Sequence, residues 1–311
     1  MHNVASYRPV SNLPHMSKIL ERIINCQLVS HLEELQLLPE VQSAYCRGHS
    51  TETAVLKVFS DLIDAISNGK FALLSLLDLS AAFDTVDHNI LMLRLEMSFG
   101  FRSMPLEWLC SYLEGRSQSV SLNSHSTVPR TVTCGVPQGS VLGPLLFTLY
   151  AADIGKVIQQ HRLSHHCYAD DNQVYAACIL SECTAMKSRR IHCIESIGAW
   201  MASNRLALNP LKSKFMWCAS PRRTYLIDKS AFVLTDGSVN VSSSVRNLGV
   251  YFDESLSMTD HVNRLVRTCF YQRKLVHARP CQLTSAYVLL PTPSNQIYLT
   301  FSDRRSGNAS C

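Results

Sequence analysis

Two adjacent carboxylates, in the segment Tyr168-Ala169-Asp170-Asp171, are the residues best placed to do chemistry in this 311-residue chain. They lie between two apolar stretches, His166-Cys167-Tyr168 and Val174-Tyr175-Ala176-Ala177. That pattern predicts a strand, a tight acidic turn and a second strand. Neighbouring carboxylates repel, and hard oxygen donors suit a divalent cation such as magnesium. Asp and Asn are also ordinary turn residues, so Asp170-Asp171-Asn172 fits a plain turn as well. A third acid separates the two readings. Asp78 sits near the C-terminal end of the apolar run 71–79. A strand ending there, laid beside the acidic hairpin in an antiparallel sheet, would bring three carboxylates to one edge. Phosphoryl transfer with two cations about 3.5–4 Å apart needs such a constellation.

The surrounding elements must supply that convergence. Apolar residues recur at helical spacing in Met16, Ile19, Leu20, Ile23, Leu28, Leu32 and Leu35, and Pro39 stops the pattern. A second helix is capped near Ser50, carries Val55, Val58, Phe59, Leu62, Ile63 and Ile66, and ends at Gly69. The run 71–79 is too short for a domain-sized helix and reads as a buried strand. Asp84, with Asp87 three residues on, reads as a helix start whose buried stripe is Val86, Ile90, Leu93 and Met97. A short helix surrounds Trp108. Residues 117–122 and 127–134 pair as a hairpin around Asn123-Ser124. Gly135-Val136-Pro137-Gln138-Gly139 forms a tight loop, and Ser140 caps the helix after it. A long helix follows the acidic hairpin to about Asn204. Short strands occupy 214–252, with Asp236-Gly237 as a turn, and a last helix spans 259–274.

Composition sets the outer bounds. Apolar residues make up 46 % and charged residues 17 %, which supports a sizeable core. The net charge of +5 fits a nucleic-acid partner without demanding one. Twelve cysteines show no CxxC pair, so neither a zinc module nor a disulfide framework is indicated, and a reducing intracellular compartment, nucleus or cytoplasm, is expected. His165-His166-Cys167 is a local cluster with no matching second pair. No signal-peptide pattern and no run of about 18 apolar residues is present, so no membrane partner is expected.

Taken in order, these residues resemble a known family. Leu77-Asp78-Leu79-Ser80-Ala81-Ala82-Phe83-Asp84, Gly135-Val136-Pro137-Gln138-Gly139-Ser140 and Tyr168-Ala169-Asp170-Asp171 are similar to the palm motifs of reverse transcriptases of the non-LTR (LINE-type) retrotransposon branch. Tyr7-Arg8-Pro9-Val10-Ser11-Asn12-Leu13 resembles its first fingers motif. Gln42-Ser43-Ala44-Tyr45 with His49-Ser50-Thr51-Glu52-Thr53-Ala54 resembles its second. Leu208-Asn209 with Lys212, and Asn247-Leu248-Gly249-Val250, resemble the motif after the catalytic hairpin and the hairpin that grips the primer.

The resemblance implies an α+β right-hand architecture of fingers, palm and an incomplete thumb, the palm an antiparallel sheet backed by helices. The implied divisions are 1–70 as a fingers-like helical segment, 71–220 as palm (105–135 partly fingers), 221–275 as primer-grip hairpin and thumb start, and 276–311 as a divergent tail open to disorder. It implies RNA-directed DNA polymerase activity on an RNA or DNA template with a primer and deoxynucleoside triphosphates; it says nothing of protein partners. Asp78 and Asp170 would ligate two magnesium ions, or manganese, with Asp171 as third carboxylate and the Leu79 carbonyl as a further ligand. Phe83 would exclude a ribose 2′-hydroxyl, or else simply pack in the core. Gln138 and Gly139 would contact nucleotide and template, Lys212 would protonate pyrophosphate, and Tyr168, Leu248 and Gly249 would support the primer.

This sequence also departs from the family pattern. Cys46 stands where the family carries an arginine that grips the triphosphate, and a thiol cannot replace that fork of donors. Arg47 is adjacent, but neighbours on an extended segment point to opposite faces. Asn172 replaces a threonine, and Lys214 stands where an acid is common. Pro280, Pro291 and Pro293 break the helical pattern where a thumb would continue. The family's upstream endonuclease and C-terminal cysteine–histidine segment have no counterpart in these residues. The expectation is therefore a polymerase core of reduced activity, the alternative being an inactive remnant that binds nucleic acid or has no enzymatic role.

Overall fold

The computed structural model describes residues 8–80, 82–122, 125–209, 212–234, 237–277 and 296–303. Strand β1 (Arg8–Asn12) leads into helices α1 (His15–Glu34) and α2 (Thr51–Ser67). The α1 helix forms as predicted, but only part of its predicted apolar set is buried. Leu28 and Leu32 enter the core, whereas Met16, Ile19, Leu20, Ile23 and Leu35 are exposed. The buried stripe runs back from Leu32 and Leu28 to Glu21, so a carboxylate lies on the inward face where apolar spacing alone would not place it. Helix α2 starts with a capping box: Ser50 Oγ accepts from the Thr53 amide, and Thr53 Oγ1 accepts from the Ser50 amide. Gly69, at φ 68°, turns the chain out of it.

Strand β2 (Phe71–Leu77) stops one residue before Asp78. Helices α3 (His88–Phe99) and α4 (Met104–Leu113) follow. Asp87 is the N-cap of α3, accepting from the amides of Asn89 and Ile90, so the predicted start at Asp84 is corrected. The stripe is corrected in part: Val86 is buried and Ile90 packs against the core as expected, but Leu91, Leu95 and Phe99 carry the buried face, while Leu93 is 61 % and Met97 75 % exposed. Strand β3 (Arg116–Leu122) pairs with two short strands, β4 (His125–Ser126) and β5 (Arg130–Thr131), in place of one long partner. The predicted turn at Asn123-Ser124 lies outside the described residues.

Helices α5 (Leu142–Ala151) and α6 (Ile154–Gln160) precede strands β6 (Ser164–Tyr168) and β7 (Asp171–Cys178), then the long helix α7 (Cys183–Ser203). Strand β8 (Lys214–Cys218) is followed by two hairpins, β9 (Phe232–Leu234) with β10 (Gly237–Val239), and β11 (Ser244–Asn247) with β12 (Val250–Asp253). Asp236, of the turn predicted there, lies outside the described residues, and the strands beside it pair as expected. Helix α8 (Thr259–His277) leaves Val262, Leu265, Val266 and Phe270 exposed along one stripe. Within the tail expected to be open to disorder, β13 (Gln296–Asp303) is a strand, parallel to β1 and antiparallel to β3.

The central sheet has the order β6-β7-β2-β8, every pair antiparallel. Strand β2 is interior and buried on both faces, which is why it reads as a continuous apolar run rather than an alternating one. Phe71, Leu73 and Leu77 face a core built with α3, α4, α5 and α7. Ala72 and Leu74 face a second core made with Val55, Val58 and Leu62 of α2 and Val245 and Phe252 of the β11–β12 hairpin. Among the described residues no helix is long and apolar enough to cross a membrane.

Candidate active site

The register of the central sheet brings the predicted acids together. Leu77 pairs with Asn172, so one further step along both strands sets Asp78 opposite Asp171. By strand alternation, Asp78 shares a face with Leu74, and Asp171 with Gln173 and Tyr175. That face looks toward the β11–β12 hairpin, where the Asn247 side-chain amide donates to Gln173 Oε1 at 3.2 Å. Asp170 occupies the two-residue turn itself, between the paired Tyr168 and Asp171. Next to Asp78, Leu79 bridges to Leu208 and the Asn209 amide donates to the Asp78 carbonyl at 2.9 Å. The chain then returns Lys212 to the acids, its ammonium 3.4 Å from Asp78 Oδ2. This is an ion pair rather than a hydrogen bond, and the same buried oxygen takes no hydrogen bond at all.

The turn at Ala169 is strained and clamped. Ala169 has φ 55°, a left-handed conformation that costs a residue with a Cβ about 1–2 kcal/mol. Gln42 offsets this by bonding both its backbone groups: Oε1 accepts from the Ala169 amide at 3.0 Å and Nε2 donates to its carbonyl at 3.4 Å. Asn172 donates to the Asp170 carbonyl at 3.0 Å and accepts from the Cys167 thiol, so asparagine does structural work in the position where the family carries threonine. Residues 41–43 run along the free edge of β6, with the Ser43 amide donating to the Cys167 carbonyl and the Cys167 amide to that of Val41. Ser43 Oγ lies 2.9 Å from both His49 Nδ1 and His166 Nε2, which gives His166 of the predicted local cluster a structural role.

That same segment places Tyr45, Cys46 and Arg47. Tyr45 has φ 62° and is mostly exposed, yet its phenol is close enough to the hairpin that partial burial, then the charges of Asp170 and Tyr168, push its pKa up. Cys46 turns inward, its thiol donating to the Gln42 carbonyl at 3.2 Å, while Arg47 is exposed.

Phe83 stacks on Phe147 with ring centroids 4.8 Å apart and stays partly exposed, so one side packs on the core and the other is open. The loop after it meets the glycine-rich loop through the Gly135 amide to Val86 carbonyl bond and the Val136 amide to Phe83 carbonyl bond. Gly135, at φ 89°, has no room for a Cβ, which would sit 2.9 Å from the Asp84 carbonyl oxygen. Partial desolvation raises the Asp84 carboxyl pKa. The Gln138 carbonyl accepts from the Ser11 amide at 2.7 Å, and a Cβ on Gly139 would meet Val10 at 3.0 Å. Gln138 and Asp84 line a cleft of about 750 Å³ together with Arg116 and Arg130; Asp78, Asp170 and Asp171 are not among its walls. The structure therefore holds the acids on one edge and the Gln138 loop on a neighbouring cleft. Leu248 and Gly249 form the two-residue turn of the β11–β12 hairpin, both with positive φ.

Among the described residues no three His, Cys, Asp or Glu side chains form a ready metal cluster. The donor chemistry nevertheless fits a hard cation: carboxylates on one sheet edge, one buried oxygen of Asp78 with no hydrogen bond, and a lysine ammonium already drawn to it. Sequence reading missed the roles of Gln42, Ser43 and Glu21. Glu21 is 1 % exposed, and its Oε2 accepts from the amides of Val141 and Leu142. A polar residue on a helix carries no local sign of a partner so far away in the chain.

The chain is 30 % identical over 277 residues to the probable RNA-directed DNA polymerase from transposon BS of Drosophila melanogaster, over 86 % of this chain and 29 % of that protein. It is 28 % identical over 271 residues to the RNA-directed DNA polymerase from mobile element jockey of Drosophila funebris, over 85 % of this chain and 28 % of that one. It thus spans less than a third of the length of these curated relatives. Apo telomerase from Candida tropicalis shares the fold, with a TM-score of 0.50 at 13 % identity over 76 % of this chain and 40 % of that structure. The family described as reverse transcriptase (RNA-dependent DNA polymerase) matches residues 2–252, and the chain belongs to that family.

Proposed function

We propose that this chain adds deoxynucleotides to a primer 3′-hydroxyl on an RNA template. The observation that carries the reading is the register of β2 and β7, which sets Asp78 opposite Asp171 beside the Asp170 turn. Asp78, Asp170, Asp171 and the Leu79 carbonyl would hold magnesium, which when bound supplies positive charge to the oxygens at the reacting phosphorus. The primer oxygen attacks the α-phosphate and pyrophosphate leaves, so the protein's contribution is mainly positioning and electrostatics. Leu248 and Gly249 support the primer strand from the β11–β12 turn, with Tyr168 on the hairpin, and the open side of Phe83 meets the sugar of the incoming nucleotide. Gln138 and Gly139 contact nucleotide and template. Lys212 donates a proton to the leaving pyrophosphate.

Extension of oligo(dT) on poly(rA) with dTTP and magnesium tests the reading. Asp170→Asn is expected to lower incorporation by about a hundredfold or more, since it removes a charge that acts on the reacting centre. Equal incorporation by wild type and variant would sink it.

The activity is reduced, because the Cys46 thiol is turned onto the Gln42 carbonyl and offers the triphosphate no guanidinium. Extension at rates typical of full-length relatives would refute that part. The same observation favours the second reading, an inactive remnant that still binds nucleic acid. Complete absence of incorporation with retained binding of the template–primer duplex would support it.

A further inference from the structure

We infer that Glu21 is a positioning residue for the loop that carries Gln138 and Gly139. Helix α5 follows that loop and is buried along its length, with Leu142, Leu145, Leu146, Phe147, Leu149 and Tyr150 all in the core. The first amides of a buried helix cannot turn to water, so each needs an acceptor from the protein. Glu21 supplies it from α1, 120 residues upstream: its Oε2 accepts from the Val141 amide at 2.7 Å and from the Leu142 amide at 3.2 Å. Ser17 Oγ donates to the other carboxylate oxygen at 3.2 Å and fixes the rotamer. Ser140 Oγ completes the cap, accepting from the Gly143 amide and donating to the Pro137 carbonyl.

Glu21 is 1 % exposed, and a carboxylate so deeply buried needs compensation. The positive end of the α5 dipole provides it. The far end is treated in the opposite sense, where the Arg94 guanidinium donates to the Tyr150 carbonyl and pairs with Asp153 at 3.3 Å. Anion at one end and cation at the other hold α5 along its axis.

The loop before α5 is tied on its other sides as well. The Gln138 carbonyl is fixed to Ser11 of β1, and Gly135 to Val86. Glu21 is the charged member of this set, and it sets where α5 begins. Its loss would let the first turn of α5 fray and the Pro137–Gly139 backbone drift. Displacement by a fraction of an ångström matters for a backbone that must approach a nucleotide closely.

The kinetic consequence rests on the polymerase reading above; the structural one does not. The test uses the full chain as wild type, Glu21→Ala and Glu21→Gln, the last keeping an acceptor oxygen. Two measurements are made: amide hydrogen exchange by segment, and the KM and kcat for dTTP on poly(rA)/oligo(dT). Glu21→Ala is expected to speed exchange over residues 137–146 while the β2 and β7 segments stay protected. Its KM for dTTP should rise about tenfold with kcat within about threefold. Glu21→Gln should recover most of both. Unchanged exchange in 137–146, exchange raised equally across the chain, an unchanged KM, or a glutamine variant as impaired as alanine would each overturn the inference. If the wild type incorporates nothing, the polymerase reading fails separately, and the exchange pattern alone decides the role of Glu21.

Discussion

At the scale of single residues, the side chains that hold the site lie far from it in sequence. Gln42 clamps Ala169 across 127 residues. Cys46, two positions beyond Ala44, spends its side chain on the Gln42 carbonyl and so belongs to the clamp rather than to the nucleotide. An arginine at that position would bring a planar fork of donors that the thiol lacks. Cys46→Arg is therefore expected to raise incorporation in the oligo(dT) assay by about tenfold, chiefly through a lower KM for dTTP, because a charged fork of donors recovers binding to the triphosphate. Activity equal to or below that of the unaltered chain would show that Cys46 is not the cause of reduced activity.

At the scale of elements, helix phase depends on what lies against each helix. The α3 pattern in sequence admits two stripes, and the start at Asp87 together with the packing of α5 selects Leu91, Leu95 and Phe99. Leu91→Ala is expected to cost about 2–5 kcal/mol by cavity formation. Leu93→Ala, on the exposed face, should stay within about 0.5 kcal/mol. Urea unfolding measures both, and similar losses would contradict the phase described here. The α1 helix makes the same point: Glu21 lies in its buried stripe with Leu28 and Leu32, so counting apolar residues alone does not select the buried face.

For the whole molecule, the join between the 41–49 segment and the central sheet sets a pH dependence. Burial, then nearby positive charge from His49 and Lys57 set partly against Asp61, lowers the His166 pKa below its ordinary value. Burial, then His166, lowers that of His165, whose Nε2 is buried without a hydrogen bond and lies close to Gly155 of α6. Both imidazoles are harder to protonate in the folded chain than in the unfolded one. The unfolded chain binds more protons once pH falls below the ordinary histidine range, so this contribution is complete above about pH 6.5 and is lost as pH drops toward the folded values. The urea midpoint should fall between about pH 7.5 and 5.5, and His165→Asn/His166→Asn should flatten that fall. A midpoint that rises on acidification, or a slope unchanged in the double variant, would contradict this account.

The local pattern of the chain was enough to place most of the strands and helices of the central sheet and its flanks, the tight loop before α5, and the acids at strand ends. Each of those features is written in short-range periodicity, turn chemistry and capping, which act over a few residues. The convergence of Asp78 with the acidic hairpin on one sheet edge was also legible, because an apolar run ends in one acid and a hairpin is tipped by two others; the register that sets Asp78 opposite Asp171 came from the structure. Tertiary structure alone decided which faces of α1 and α3 are buried, that Gln42 holds the strained hairpin, that Glu21 caps α5, and that Gln296–Asp303 joins the sheet of β1 and β3. The physical reason is common to them all. A buried polar group or an inward face is defined by a partner brought close by the fold of the whole chain, and no local period in the sequence records that partner.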